Sequence, residues 1–203
     1  MKTLKNVLLV CFVVLAVAAS AHAQTAQADR EAMLAHLQKT QKALDDATKG
    51  LSPAQWNFKP APDRWSIAEA YEHITLGESM LFDMIQKGVS APATPEKKVA
   101  AAAEKDAQVQ TMIADRSRKF QAPEPLQPTG RWSLDEMKKE FTARRGKSIE
   151  FVKTAPQDLR AHVMAGPAGE LDAVQWIYCL SAHAERHTAQ ILEVKADPNF
   201  PKK

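Results

Sequence analysis

Two histidines, His183 and His187, stand four residues apart in the stretch from Asp172 to Lys195. On a helix that spacing puts both imidazoles on one face, separated by roughly 6 Å of rise, which suits two ligands clasping one ion. Trp176, Ile177, Leu180, Ile191 and Val194 form the apolar stripe of that helix, and both rings lie on it rather than on the Gln/Glu/Lys face. Imidazoles buried on an apolar stripe require partners. A third ring, His73, falls beside Ala70, Tyr71 and Ile74 in an earlier stretch, with Gly77 one turn later leaving space on the same flank. Taken singly, His73 reads as a core histidine with a hydrogen-bond partner. Taken with the pair, it completes an open three-ligand set of the kind in which water or substrate keeps the remaining positions. His73, His183 and His187 are therefore the candidate ligands of one divalent cation, and imidazole suits zinc, nickel, copper and iron alike.

Other reactive side chains fit less well. Glu185 lies between the two late histidines but two residues from the first, about 200° around the helix, so it points away and the zinc-protease arrangement fails. Cys179 is one i, i+4 step before His183, yet about 80° from His187, and reads as a plain buried thiol. Glu69, Glu72 and Glu140 are candidate bases or further ligands by proximity only. The chain has no Ser/His/Asp pattern and no Gly-rich phosphate loop. Lys138-Lys139 and Arg144-Arg145 read as the solvated face of a helix.

The elements that must position these residues announce themselves by their starts. Ser66-x-x-Glu69, Ser133-x-x-Glu136 and Asp172-x-x-Gln175 each set an N-cap residue three positions before Glu or Gln, the capping box. An earlier helix begins at Asp29 and carries Met33, Leu37, Leu44 and Leu51 near helical spacing. The helices predicted are 29–49, 66–87, 133–153 and 172–195. No period-2 alternation is sustained, and the proline-rich pieces at 53–62 and 123–128 read as loops. The fold class expected is all-α, a four-helix bundle. About 45 residues separate its second and third helices, a crossover long enough to let those two lie parallel. Residues 96–119 of that crossover, rich in Ala, Lys, Glu and Gln, predict an additional, more exposed helix. Arg64-Trp65-Ser66-Ile67 and Arg131-Trp132-Ser133-Leu134 echo one another just before two helix starts. The echo reads as a Trp staple on the first turn or as an old duplication that would put Glu140 at the place His73 holds.

The chain opens with Lys2 and Lys5, runs through the apolar stretch Val7 to Ala19, and reaches Ala21-His22-Ala23. That is the pattern of a cleaved signal peptide over 1–23, and an apolar run of about 13 residues is too short for a membrane anchor. The expected destination is the periplasm or the medium. The leader removes two lysines and no acid from totals of 27 Lys+Arg and 24 Asp+Glu, leaving the mature chain near neutrality. Without a basic stripe interleaved with aromatics, a nucleic-acid partner is not expected. Only Cys179 remains after cleavage, so no intramolecular disulfide is available, and about 180 residues suffice for one domain over 24–203.

Gly50-Leu51-Ser52, Trp56, Pro60, Pro62, Arg64-Trp65-Ser66-Ile67 and Glu72-His73, together with His183-x-x-x-His187 and Gln190-Ile191, give the chain its resemblance to the DinB-like superfamily. That superfamily includes YfiT-type metal-dependent hydrolases. The resemblance spans nearly all of the mature chain. It implies a bundle in which one histidine of the second helix and two of the last bind nickel, zinc or a similar ion, here His73, His183 and His187. It also implies hydrolase or transferase chemistry on a small molecule. Export argues against the intracellular-thiol transfers known in the family. The alternative expected function is a non-catalytic envelope protein that binds a metal or small ligand, with the ion in a structural role. Dimerisation through the crossover is left open.

Overall fold

In a computed structural model of the protein, residues 26–97, 102–167 and 169–202 are described, and the leader expected over 1–23 lies outside them. Helix α1 covers 26–48 and is followed by the short α2, Pro53–Asn57. Then come α3 (Ile67–Ser90), α4 (Ala102–Ala114), α5 (Leu134–Thr154) and α6 (Ala173–Lys195). Each start predicted from a capping box is a start in the structure: Ser66, Ser133 and Asp172 accept from the N3 backbone N–H while the N3 side chain accepts from the cap's own N–H. Orphan donors at both levels are thereby satisfied. The same device at Ser52 and Gln55 builds α2, in a stretch whose prolines had suggested a loop.

Side-chain pairings fix the directions of the helices. Tyr71 meets Phe141, Glu78 meets Arg145 and Phe82 meets Phe151, so α3 and α5 run parallel, as the long crossover allows. Along α6 the order against α3 is reversed, since Trp65 lies near His187 while Gly77 lies under His183. α1 follows α6 in the same direction, from His36 on Ser181 to the Ala47 carbonyl on Lys195. The expected exposed crossover helix is present as α4, with only Asp106 and Val109 buried along its length.

Weak as the strand signals are, the described residues hold one short pair of strands in this helical fold. β1 (Val163–Gly166) and β2 (Gly169–Asp172) form an antiparallel hairpin that feeds α6. Four residues a strand are too few to show alternation, and the signal was instead Gly169, which takes φ +89° at the turn. Asp172 both ends β2 and caps α6, and with Asp29 and Asp106 it receives the guanidinium of Arg160.

The core divides into two apolar clusters. One gathers Leu37, Phe82, Ile85, Val152, Ile177 and Leu180, and the other gathers Leu44, Ile67, Tyr71, Ile74, Phe141 and Ile191. Between them runs a polar belt with Thr40, Glu78, Arg145 and Ser148, all buried. Arg145 corrects the expectation of a solvated face: its side chain is 0% exposed. Its Nε and Nη2 donate to the two oxygens of Glu78 at 2.9 and 2.7 Å, and Nη1 donates to the Leu37 carbonyl and the Thr40 hydroxyl. Arg144 also turns inward, donating to Glu140, Ser79 and the Thr75 carbonyl.

Candidate metal centre

The three candidate histidines meet between α3 and α6. His73, His183 and His187 each offer a ring nitrogen, and these atoms lie within 4.8 Å of one another. The nearest pair, His73 Nε2 and His183 Nε2, is 3.0 Å apart. A tetrahedral ion bound at roughly 2.1 Å sets ligand nitrogens about 3.4 Å apart, so small ring rotations suffice to close the set. Helix spacing brings the late pair together, and the 24-residue α3 carries His73 to the same level. Gly77 makes the approach feasible: a Cβ there would fall 2.5 Å from His183 Cε1.

Second partners decide which nitrogen each ring presents. His73 Nδ1 lies 2.8 Å from the Leu126 carbonyl, which can only accept, so Nδ1 carries the proton and Nε2 offers its lone pair. His187 Nδ1 lies 2.8 Å from Gln190 Oε1, which also receives Arg116 Nη1 at 3.4 Å. With an arginine donor on that amide atom it is the acceptor oxygen, and His187 likewise presents Nε2. His183 Nδ1 is buried against Gly77 with no partner among the described residues. The three rings therefore face one another inside the protein, with the Nε2 atoms of His73 and His187 free of these second partners.

Burial is the main reason that all three rings resist protonation. It lowers the pKa of His73, drives that of His183 well below the usual value, and takes that of His187 down to about 3; for the last two, neighbouring histidines add to the effect. A buried cluster of imidazoles that resists protonation is suited to a metal cation. Trp65 closes one side, its ring centroid 4.8 Å from that of His73 and 6.2 Å from that of His187. The Trp that the echo singled out is thus a wall of the site.

The other candidates separate from the cluster. Glu72, adjacent to His73, accepts from the Thr129 and Gly130 N–H groups and from Arg131 Nε, so it pins the loop before α5. Glu69 serves the α3 cap and pairs with Lys59, while Glu140 pairs with Arg144. Glu185 points away as expected and faces His36 and Lys39. Cys179 is a buried free thiol, pushed up to about 12 by desolvation, and lies outside the histidine group.

The structure also shows what sequence reasoning missed. The Leu126 carbonyl that orients His73 comes from a proline-rich loop, and a backbone acceptor 53 residues away leaves no sequence signal. Ser181 Oγ lies 2.5 Å from His36 Nδ1, whose Nε2 is 3.4 Å from Glu185. Ser181 is wholly buried and also donates to the Ile177 carbonyl, so this Ser-His-Glu contact belongs to packing and is no hydrolase triad.

The sequence profile described as DinB superfamily matches residues 36–191. The chain belongs to the DinB superfamily. The DinB assignment takes in all three histidines, the α3 cap and Gln190. A similar protein is the uncharacterized protein YuaE of Bacillus subtilis (strain 168), 30% identical over 149 residues, which is 72% of this chain and 87% of YuaE. No solved structure matches. The three-histidine group of this DinB-superfamily member is one that can hold a metal ion.

Proposed function

We infer that the protein is an exported DinB-superfamily metalloprotein in which His73, His183 and His187 hold one divalent ion, zinc or nickel. The ion serves a hydrolase or transferase reaction on a small molecule. α1, α3, α5 and α6 form the four-helix bundle that carries it over 24–203, and the leader over 1–23 directs it to the periplasm or beyond. The observation that carries this reading is the convergence of three buried imidazoles, whose ring nitrogens lie within 4.8 Å of one another. Leu126 and Gln190 hold the protons of His73 and His187 on Nδ1, so their Nε2 lone pairs and the His183 ring face one point where burial disfavours a proton. Three neutral imidazoles leave coordination positions open, and a bound ion there supplies Lewis-acid activation of water or substrate.

The chain's own residues orient and enclose. Gln190 and Leu126 fix the ligand rings, Trp65 keeps water from one side, and Gly77 lets His183 approach α3. A second reading, an ion that only fastens α3 to α6, is favoured by one observation: Glu69, Glu72 and Glu140 are all engaged elsewhere, so none stands ready as a proton carrier. Either role requires the ion.

Elemental analysis of protein purified without chelators tests it. The expected result is one zinc or nickel per chain, lost in the His183→Ala/His187→Ala variant. The rings resist protonation, so the metal should also stay bound at pH 5.5, about one unit below the point at which ordinary imidazoles would begin to release it to protons. Equal metal content in wild type and variant would refute the assignment.

A further inference from the structure

Positive charge gathers at the edge of the histidine cluster. Arg116 donates through Nε and Nη2 to the two oxygens of Glu193, at 3.0 and 2.7 Å, and through Nη1 to Gln190 Oε1, the atom that orients His187. Arg64, next to Trp65, reaches the same Glu193 carboxylate at 3.6 Å. Arg186, adjacent to His187 on α6, donates to the Asp115 and Arg118 carbonyls and lies 5.2 Å from the Phe120 ring centroid. Arg118 lies 5.5 Å from the same centroid and, among the described residues, has no ion pair. Four guanidinium groups thus meet two carboxylates, Glu193 and Asp115, and the Asp115 carboxylate is exposed and bonded to Ser117. The three ligands bring no negative charge, so a divalent ion adds its full charge to this excess. An electropositive, partly enclosed edge concentrates anions, and a planar guanidinium matches the two oxygens of a carboxylate or phosphate.

We propose that the ligand taken by this metal centre is an oxyanion, its charged head drawn to the Arg116 fork at the edge of the histidine cluster and its body lying toward the ion along the Trp65 ring. The proposal rests on the metal reading above and names the substrate class for it. Glu193 is then an internal competitor, since it occupies the fork that the incoming anion would use. Arg116 and Glu193 are partly exposed, with side chains 25% and 45% accessible, so both can be changed without opening the core.

The test uses the full mature chain loaded with Co(II), whose visible spectrum reports on its ligands. Benzoate and phenylphosphonate are titrated in separate arms, with neutral benzamide as the control. At least one anion should shift the spectrum while benzamide does not, and the tighter arm distinguishes a carboxylate from a phosphate source. In protein kept saturated with Co(II), Arg116→Gln should weaken anion binding about tenfold or more, because a charge-assisted fork is removed. Glu193→Gln should tighten it about threefold, by releasing the fork. A purely structural role for Arg116 would not produce that opposite pair. Anions that leave the spectrum unchanged up to roughly 100 mM, or that bind wild type and both variants alike, would overturn the proposal while leaving the metal site standing. Failure of Co(II) to bind would overturn both.

Discussion

Glu78→Ala should destabilise the protein by about 3 to 5 kcal/mol, because it strands the Arg145 guanidinium at the centre of the fold without its counter-charge. For a chain of this size that corresponds to a fall in Tm of roughly 10 °C. The pair is 0% and 1% exposed, so water cannot substitute for the lost carboxylate. Ser148 Oγ, which donates to Glu78 at 2.8 Å, would keep only its longer 3.4 Å contact with the Arg144 carbonyl. The double variant Glu78→Leu/Arg145→Met should be more stable than Glu78→Ala, since replacing both charges removes the desolvation cost together with the attraction. Thermal and denaturant unfolding of the three proteins measures this. A Glu78→Ala protein within about 1 kcal/mol of wild type would show that the belt does not carry the stability assigned to it.

Gly77→Ala should damage the metal centre while sparing the fold. The new methyl would sit 2.5 Å from His183 Cε1 and 2.9 Å from Nδ1, so the ring must leave its place beside α3. Loss of ring position is expected to cost at least about 100-fold in metal affinity, the upper end of what disturbed outer contacts cost. Stability should change little, because alanine favours the helix by about 1 kcal/mol and offsets part of the crowding. Zinc titration against a competing chelator, run beside a thermal melt, separates the two effects. Wild-type zinc affinity in Gly77→Ala would mean that His183 does not need the approach that Gly77 permits.

The helix starts were legible because Ser66, Ser133 and Asp172 carry capping boxes, and these act through bonds three residues long. The histidine cluster was legible because helical period placed each ring on an apolar stripe, and the family resemblance pointed to the same three residues. Arg145 was hidden by its neighbour: two adjacent arginines suggest a solvated face, although Met137, Phe141, Arg145, Ser148 and Val152 keep the spacing of a buried one. Reading the period rather than the residue type would have found it. The roles of Leu126 and Glu72 depend on chain distant in sequence, and no local pattern carries them. The hairpin was missed because its strands are short, and its pairing is decided by the turn at Gly169.

X-ray absorption at the metal edge of the zinc- or nickel-loaded protein tests the central claim most directly. Three imidazole nitrogens from His73, His183 and His187 should appear at about 2.0 to 2.1 Å, with any remaining scatterers being light oxygen atoms. The imidazole pattern should fall to two rings in His73→Ala. A sulfur scatterer at about 2.3 Å, or a shell without imidazole, would contradict the assignment and move the metal away from these three residues.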